Sequence, residues 1–283
     1  MPRAKKIVDK PNVEKTVEVK TTPAAFNLMN ILLIIVTLFS LYLFYKIHIL
    51  EQKLAAATTT TPTQQGQQQP TGPSISIGKV KALFSKGYMN FGNANNKLLF
   101  VEVTDPSCPF CHVAGGQDPE TSKSINSRFQ YVSDGGSYDP PVTEMKKLVD
   151  TGKASMVFLY SPGHGNGELA AQALYCAYEK GQFWPVHDRL MSNAGYNTIN
   201  NDVRNDTTKI PVLVDFLSQQ IDSNFLSSCL TSGKYASMLK RDEQVSQSLG
   251  YQGTPYFLIN TTTFNGAYDW GSMSSVVNKA LQS

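Results

Sequence analysis

The longest apolar run in the chain lies near its N-terminus. The segment from Phe26 to Tyr45 (FNLMNILLIIVTLFSLYLFY) contains no charged residue and shows no amphipathic stripe. About 20 apolar residues in a helix span roughly 30 Å, which is the thickness of the hydrocarbon core of a bilayer. The run therefore predicts one transmembrane helix at 26–45, in preference to a buried helix of a globular domain.

A polar stretch of low complexity follows that run. Residues 51–74 (EQKLAAATTTTPTQQGQQQPTGPS) are rich in Thr, Gln, Pro and Gly and nearly lack large apolar side chains. Such a segment cannot bury enough apolar surface to offset the entropy that it loses on ordering. We expect residues 46–74 to form a flexible linker between the membrane segment and a domain at 75–283.

The domain at 75–283 alternates between strand-like and helix-like patterns. Three short apolar runs are typical of buried strands: Leu98–Val103 (LLFVEV), Met156–Tyr160 (MVFLY) and Tyr256–Ile259 (YFLI). Helical patterns occupy Gly167–Lys180, residues 212–221 (VLVDFLSQQI) and Ser272–Leu281, and Asn265-Gly266 is a turn candidate. This order predicts an α/β domain with a helical insertion at about 165–249.

The charge is unevenly distributed along the chain. Residues 1–25 hold six basic side chains against three acidic ones, whereas the rest of the chain has 19 of each. A neutral domain argues against nucleic-acid binding, which requires a basic patch with interleaved aromatic residues. The basic tail is instead a topology signal, because positively charged flanks stay in the cytoplasm. We expect a single-pass protein of the cell membrane, with residues 1–25 cytoplasmic and the domain outside.

A cleaved signal peptide is the competing interpretation of the N-terminal segment. Ala55-Ala56-Ala57 would satisfy a small-residue cleavage site. However, the apolar run is longer than the usual core of ~7–15 residues of a signal peptide. An uncleaved signal-anchor is therefore favoured.

The chemistry-bearing motif is Cys108-Pro109-Phe110-Cys111, placed directly after a predicted strand. A C-x-x-C pair is either a redox pair or half of a zinc site. A structural zinc site normally has four ligands, often a second short Cys or His pair. The other candidate ligands do not have that spacing: Cys176, Cys229, His112, His164 and His187. The redox interpretation is favoured, and no metal or other cofactor is expected.

The position of the pair gives the redox interpretation a physical reason. A helix that begins at Pro109 would place Cys108 at its N-terminus, because proline suits the first helical turn. The helix dipole and the free N–H groups there stabilise a thiolate. We predict that Cys108 is exposed and acts as the nucleophile, and that Cys111, one turn further in, resolves the mixed disulfide.

The sequence resembles the DsbA-like thioredoxin-fold thiol–disulfide oxidoreductases. The residues that carry the resemblance are VEVTDPSCPFC at 101–111 and Gly253-Thr254-Pro255-Tyr256-Phe257, which is similar to the G-T-P-x-F stretch of the family. Between them, residues 168–191 and 225–250 resemble its helical insertion. The resemblance spans Asn90–Ser283 and implies a thioredoxin-like fold with a helical insertion, preceded here by the transmembrane helix.

The resemblance also implies roles for individual residues at the site. Pro255 would be cis and would lie against the active-site disulfide, and four residues would contact the substrate: Thr254, Pro255, Pro109 and Phe110. Glu102 would lie buried beneath the disulfide and pass protons to and from Cys111. The alternative for Glu102 is an edge-strand glutamate that reaches solvent.

A second disulfide, between Cys176 and Cys229, is a further implication of the resemblance. Members of the family often carry cysteines at both corresponding places, and the domain is expected in an oxidising compartment, where disulfides persist. The alternative is two buried free thiols.

Function and partners follow from the same resemblance. The leading hypothesis is a dithiol oxidase that forms disulfides in exported proteins with cysteine thiols and is reoxidised by a quinone-linked membrane partner of the DsbB or VKOR type. A reductase or isomerase of the same fold, a redox-inert binding or chaperone module, and a zinc-stabilised interaction domain are the alternatives. Pro109-Phe110 does not decide the direction of the reaction.

Two features after the cysteine pair stay open. The stretch 112–149 is longer than the family pattern, and it is either a lid, a substrate-recognition loop or surface decoration. His112 either tunes the thiolate or is a solvated helix residue, and the second interpretation is favoured.

Overall fold

The structure, a computed structural model, describes residues 23–58 and 75–282. Most of the predicted cytoplasmic tail (1–22) and the later part of the predicted linker (59–74) lie outside the described residues. The chain divides into two compact units, with the boundary between residues 69 and 70.

The described part of the first unit is a single helix, α1 (Pro23–Thr58). Its window Ile31–Ile49 has a mean hydropathy of 2.0 and is long and apolar enough to cross a membrane. The helix continues past the predicted span at 26–45, so residues 46–58 are helical and do not belong to a flexible linker. The reason lies in the sequence after Lys46, where Leu, Glu, Gln, Lys and Ala are all strong helix formers.

The second unit contains a five-stranded sheet and a series of helices. The strands are β1 (Met89–Phe91), β2 (Leu98–Thr104), β3 (Ala154–Tyr160), β4 (Tyr256–Ile259) and β5 (Thr262–Asn265). The helices are α2 (Ile77–Ala82), α3 (Pro109–Gly115), α4 (Pro119–Ile125), α5 (Pro141–Asp150), α6 (Glu168–Glu179), α7 (Phe183–Leu190), α8 (Asn193–Asn197), α9 (Ile210–Phe216), α10 (Ser223–Thr231), α11 (Ala236–Ser248) and α12 (Trp270–Gln282).

The sheet has the strand order β1-β3-β2-β4-β5. Strand β2 runs parallel to β3 and antiparallel to β4, while β1 and β5 pair antiparallel at the two edges. All seven residues of β2 are buried. A strand covered on both faces has this near-continuous apolar character, which is why LLFVEV shows no alternation.

Successive residues of β2 point to opposite faces of the sheet. Leu98 and Phe100 belong to the larger core, which the helices α5, α6 and α12 help to form. Leu99, Val101 and Val103 belong to a smaller core on the other face. The same alternation directs the Glu102 side chain to the face of Phe100.

The predicted strands are confirmed, and so are the helices at α6 and α12. The domain is the predicted α/β domain with a thioredoxin-like fold, and its helical insertion runs from α6 to α11. Two details of the structure differ from the prediction. The helix at 212–221 ends at Phe216, and the sequence did not predict the turn between β4 and β5 at Asn260, which has φ 54°. Asparagine tolerates this left-handed conformation. The turn candidate Asn265-Gly266 lies at the end of β5, where Gly266 has φ 108°.

Candidate active site

Cys108 lies at the junction between the central strand and helix α3. After β2 the backbone turns, with the Cys108 amide donating to the Asp105 carbonyl oxygen at 2.9 Å. Cys108 has extended backbone angles and is the N-cap of α3, and Pro109 begins the helix. Cys111 follows one turn later, and its amide donates to the Cys108 carbonyl oxygen at 3.0 Å. Both cysteines are free thiols.

Cys108 is buried, so the prediction that it is exposed is wrong for this conformation. The loop that contains Thr254 covers it, and the Thr254 carbonyl oxygen lies 3.4 Å from Cys108 Sγ. The loop after β3 packs closely behind Thr254, because a Cβ on Gly163 would lie 2.1 Å from Thr254 Oγ1. An incoming sulfur atom therefore reaches Cys108 only after the Thr254 loop gives way.

The two thiols differ strongly in acidity. The hydrogen bond from the Cys111 thiol lowers the pKa of Cys108 to about 6, and Thr254 and the charge of His164 add smaller contributions against the opposing effect of burial. Burial raises the pKa of Cys111 well above its ordinary value. At neutral pH the pair therefore carries a thiolate on Cys108 and a proton on Cys111. A thiolate is the reactive nucleophile in disulfide exchange.

Thr254 and Pro255 are joined by a cis peptide bond, as the sequence predicted. Pro255 itself is buried at the start of β4. The Thr254 hydroxyl oxygen is buried and has no hydrogen-bond partner among the described residues. The arrangement leaves the polar groups of Thr254 beside Cys108.

Glu102 is fully buried in the middle of the sheet. It belongs to the central strand and lies between Phe158 of β3 and Phe257 of β4 in the register. Neither carboxyl oxygen has a hydrogen-bond partner among the described residues. Burial raises the pKa of Glu102 to about 8. The alternative of an edge-strand glutamate that reaches solvent is wrong, because β2 has a neighbour on each side.

A buried carboxylate next to the cysteine pair ties two loops together. Asp105 Oδ1 accepts from the Ser107 amide at 2.8 Å and from its hydroxyl at 2.7 Å. Asp105 Oδ2 accepts from the amides of Gly163 and His164 at 2.7 and 2.8 Å. Asp105 thus fixes the approach to Cys108 against the loop that follows β3. The sequence analysis did not single out this residue.

A groove of about 560 Å³ opens beside the cysteine pair. Its walls come from α3, from the stretch 112–149, from the cis-proline loop and from the segment after β5: Phe110, Arg128, Phe129, Tyr138, Thr254 and residues 265–269. Arg128 stacks over the Phe129 ring at 4.5 Å from its centroid. The long stretch after the pair therefore contributes one wall of a groove that reaches the redox site.

Cys176 and Cys229 are joined by a disulfide with an S–S distance of 2.07 Å. The bond links α6 to α10 within the helical insertion. The alternative of two buried free thiols is therefore wrong. A metal would need other ligands. Within residues 23–58 and 75–282, no group of three or more His, Cys, Asp and Glu side chains is arranged to hold one.

Comparisons with known proteins agree with this geometry. A thioredoxin family model matches residues 143–279. The chain is 23% identical over 226 residues to disulfide bond formation protein D of Bacillus subtilis, a match that covers 78% of this chain and 85% of that protein. It is similar in fold to a variant of α-DsbA1 from Wolbachia pipientis, with a TM-score of 0.54, 16% identity, and coverage of 74% of this chain and 96% of that one. The chain is therefore similar to DsbA-like thiol–disulfide oxidoreductases and has a thioredoxin-like fold.

A further curated relative is much longer than this chain. The chain is 24% identical over 187 residues to the Na(+)/H(+) antiporter NhaA 3 of Salinispora tropica. That match covers 65% of this chain but 23% of the antiporter. The chain therefore spans about a quarter of that relative.

The fold brings most of the predicted site residues together in one place. Cys108 lies beside Thr254, and Phe110 and Thr254 line the groove. Pro109 and Pro255 do not line it, because Pro109 begins α3 and Pro255 is buried at the start of β4.

His112 is the site residue for which the favoured expectation is wrong. It is fully buried, not a solvated helix residue. Both of its ring nitrogens lie within hydrogen-bonding distance of backbone carbonyl oxygens, those of Met191 and Pro106. The sequence does hold one signal for this placement: His112 comes four residues after Cys108, so the two lie on the same face of the helix.

Proposed function

We propose that this DsbA-like protein is a dithiol oxidase that forms disulfides in exported proteins. The observation that carries the proposal is the acidity of Cys108, whose pKa of about 6 lies well below that of an ordinary thiol. A stabilised thiolate favours the reduced enzyme, and a couple with a stable reduced form is a strong oxidant. In a reductase the disulfide form has to be the more stable one, so its cysteine pair gives up electrons readily.

The proposed reaction moves two electrons from a client dithiol to the enzyme. Of the two client thiol protons, the equivalent of one ends on Cys111 and the other goes to solvent. A client thiolate attacks Cys108 Sγ of the oxidised pair, and the sulfur of Cys111 leaves and takes up a proton. The second client thiolate then attacks the client sulfur of the mixed disulfide, and Cys108 leaves as a thiolate. The products are a client disulfide and the reduced Cys108–Cys111 pair.

Glu102 is the proposed proton source for Cys111. With a pKa of about 8, its carboxyl group is protonated at neutral pH and can give up a proton without large cost. Thr104 follows two residues later on the same face of β2, and its hydroxyl is also buried without a partner among the described residues. These unpartnered oxygens support a path for protons between Glu102 and the Cys111 sulfur.

The groove is the proposed contact surface for the client next to its reacting cysteine. The backbone groups of Thr254 suit an extended client segment, and Phe110, two residues after Cys108, lines the groove. The wall formed by Arg128, Phe129 and Tyr138 gives the stretch 112–149 the role of a substrate-recognition loop. Its aromatic rings favour clients with a large apolar side chain near the cysteine.

The proposed location is the outer side of the cell membrane. The apolar window of α1 has the length and hydropathy of a membrane span, and the basic residues before it favour a cytoplasmic N-terminus. The domain at 75–283 would then lie outside, where a membrane partner of the DsbB or VKOR type would reoxidise Cys108 and Cys111.

The reduction potential of the Cys108–Cys111 couple tests the direction of the reaction. We expect a potential above about −200 mV in equilibration with glutathione, since known couples range from about −270 mV for thioredoxin to about −120 mV for DsbA. The Cys111→Ser variant should accumulate mixed disulfides with clients, and Cys108→Ser should accumulate none. A potential near that of thioredoxin would instead assign the pair to a reductase.

A further inference from the structure

His112 occupies a closed site directly behind the cysteine pair. The residue follows Cys111 in α3, and its side chain is fully buried. The Tyr196 ring packs edge-on against the imidazole, with 5.1 Å between the ring centroids. A polar ring in such a place needs partners for both of its nitrogens.

Both nitrogens of His112 have the same kind of partner. Nε2 lies 2.8 Å from the carbonyl oxygen of Pro106, and Nδ1 lies 3.0 Å from the carbonyl oxygen of Met191. A carbonyl oxygen only accepts hydrogen bonds, and neutral imidazole carries one N–H. Two acceptors therefore require two N–H donors, and the ring that satisfies both is the imidazolium.

A buried carboxylate balances this charge. Asp118 Oδ2 lies 3.4 Å from His112 Nδ1, and both side chains are fully buried. The other carboxylate oxygen, Oδ1, accepts from the Thr121 amide at 2.9 Å, while Oδ2 has no hydrogen-bond partner among the described residues. A buried charge is normally paired, and an oxygen that faces only His112 is the expected counterpart of a cation.

The cation would join three segments to α3. Pro106 belongs to the turn that leads into Cys108, Met191 follows α7, and Asp118 is the N-cap of α4, where the stretch 112–149 continues. We propose that His112 is a positively charged positioning residue, which fixes the turn before Cys108 and stabilises the thiolate on Cys108. The effect on Cys108 rests on the proposed thiol–disulfide chemistry, whereas the charge of the ring does not.

The electrostatic part of the proposal follows from the place of His112 in the helix. The His112 amide donates to the Cys108 carbonyl oxygen at 3.2 Å, and side chains four residues apart have Cβ atoms roughly 5–6 Å apart. A cation at this separation in a buried site favours a neighbouring thiolate. The ionisable groups around the ring include Asp118 from α4, Tyr196 from α8 and Tyr131, whose hydroxyl donates to the His112 carbonyl oxygen.

The charge is tested on the unmodified full-length protein in detergent micelles. The chain has four histidines, so ¹⁵N-histidine labelling with single His48→Gln, His164→Gln and His187→Gln variants assigns the His112 signals by elimination. We expect both ring nitrogens of His112 to have the chemical shifts of protonated nitrogens at pH 7.5. The shifts of a neutral tautomer at that pH would overturn the proposal, whatever the direction of the redox reaction.

The effect on Cys108 is tested by removing each charge in turn. His112→Gln keeps an uncharged N–H donor group but loses the cation, and it should raise the pKa of Cys108. The glutathione equilibrium should then move about tenfold towards the oxidised enzyme. Asp118→Asn leaves the cation without its counterion and should shift both quantities in the opposite direction.

The controls separate an electrostatic role from loss of structure. His187→Gln replaces another buried imidazole, which contacts Asp188 instead of the turn before Cys108, and it should leave the pKa of Cys108 unchanged. Shifts in the same direction for His112→Gln and Asp118→Asn, or no shift in either, would show that the pair only supports the fold and would overturn its role at Cys108.

Discussion

The thiol of Cys111 lowers the pKa of Cys108 more than any other group at the site. Its hydrogen bond is the largest contribution to the lowered pKa of Cys108. The pKa of about 6 means that alkylation of Cys108 in the reduced enzyme should reach half of its maximal rate near pH 6. The rate should be nearly maximal at neutral pH, because the thiolate is the reacting form.

Replacement of Cys111 isolates that hydrogen bond. In Cys111→Ala the donor is lost, and the pKa of Cys108 should rise towards the ~8.5 of a free thiol. Cys111→Ser keeps a hydroxyl donor and is the matched control, with a pKa that stays closer to about 6. The pH dependence of iodoacetamide alkylation measures both variants. Equal pKa values in the alanine variant and in the parent would show that another group holds the thiolate.

The buried carboxyl of Glu102 has a measurable effect on stability. Its pKa is raised from 4.5 to about 8 in the folded protein, so the folded state keeps a proton that the unfolded state releases above pH 4.5. Below about pH 4.5 the Glu102 carboxyl group is protonated in both states and does not lower the free energy of unfolding. As the pH rises from about 4.5 to about 8, the free energy of unfolding falls, and above about pH 8 the loss is constant.

Glu102→Gln removes the penalty without a change in shape. We expect it to increase the free energy of unfolding of the reduced protein by about 2–3 kcal/mol at pH 7 and to have little effect near pH 4. The same variant should slow disulfide exchange, because Cys111 loses its proton source. Urea unfolding at several pH values measures the first effect. Glu168→Gln, at an exposed position, is the control, and its free energy of unfolding should show no increase over the parent that grows with pH.

At the residue scale, the sequence predicted the groups whose partners are close in the chain. The Cys108–Cys111 pair and the cis bond before Pro255 were identified from short motifs. The burial of His112 and the contacts of Asp105 were not predicted, because partners of both come from distant segments: Met191, Gly163 and His164. Such partners become visible only when the fold brings the loops together.

At the level of elements, the turn into α3 depends on the close approach of a glycine. A Cβ on Gly167, just before α6, would lie 1.9 Å from Asp105 Oδ1. Gly167→Ala should therefore push Asp105 away from its four donors and destabilise the protein by about 1–3 kcal/mol. Chemical denaturation measures this loss, and the pKa of Cys108 reports any shift of the turn.

Gly78 provides the matched control for that substitution. It lies in α2, and the nearest atom to its Cβ would be Ser76 Oγ at 3.8 Å, which is an ordinary contact. Gly78→Ala should be neutral or stabilising by about 0.5–1 kcal/mol. A loss in Gly167→Ala no larger than that in Gly78→Ala would contradict the role given to the Asp105 contacts.

The elements that the sequence predicted are those with a long or strong apolar pattern. Strands β2, β3 and β4 were visible because they are buried in the sheet. Strand β1 has three residues, and α4 has seven with few apolar positions. Elements this short show too few periods for their pattern to be distinguished from a loop, so most of the structure in 112–149 was not predicted.

At the scale of the whole molecule, the proposed orientation makes one clear prediction. Protease added to intact cells or spheroplasts should digest the domain at 75–283, because the proposed orientation puts that domain outside the membrane. Permeabilised cells provide the control in which a cytoplasmic marker is also digested. A domain that survives until permeabilisation would place it on the cytoplasmic side.

The class of the whole domain could be predicted because several weak signals occur in a fixed order. A C-x-x-C motif by itself is ambiguous, but here a strand precedes it and a helical insertion and a T-P motif follow it. The order of the motifs does not show how deeply each side chain is buried, and for this reason Cys108 was expected at the surface.

The bond between Cys176 and Cys229 is itself a product of the reaction proposed for Cys108 and Cys111. Cys176 is fully buried, so under the proposed function we expect the bond to form while a newly exported copy is still folding. Each new copy would then be a client of copies that matured before it. Maturation of this protein would be autocatalytic, and a cell that starts with no finished copies would gain them slowly at first and faster afterwards.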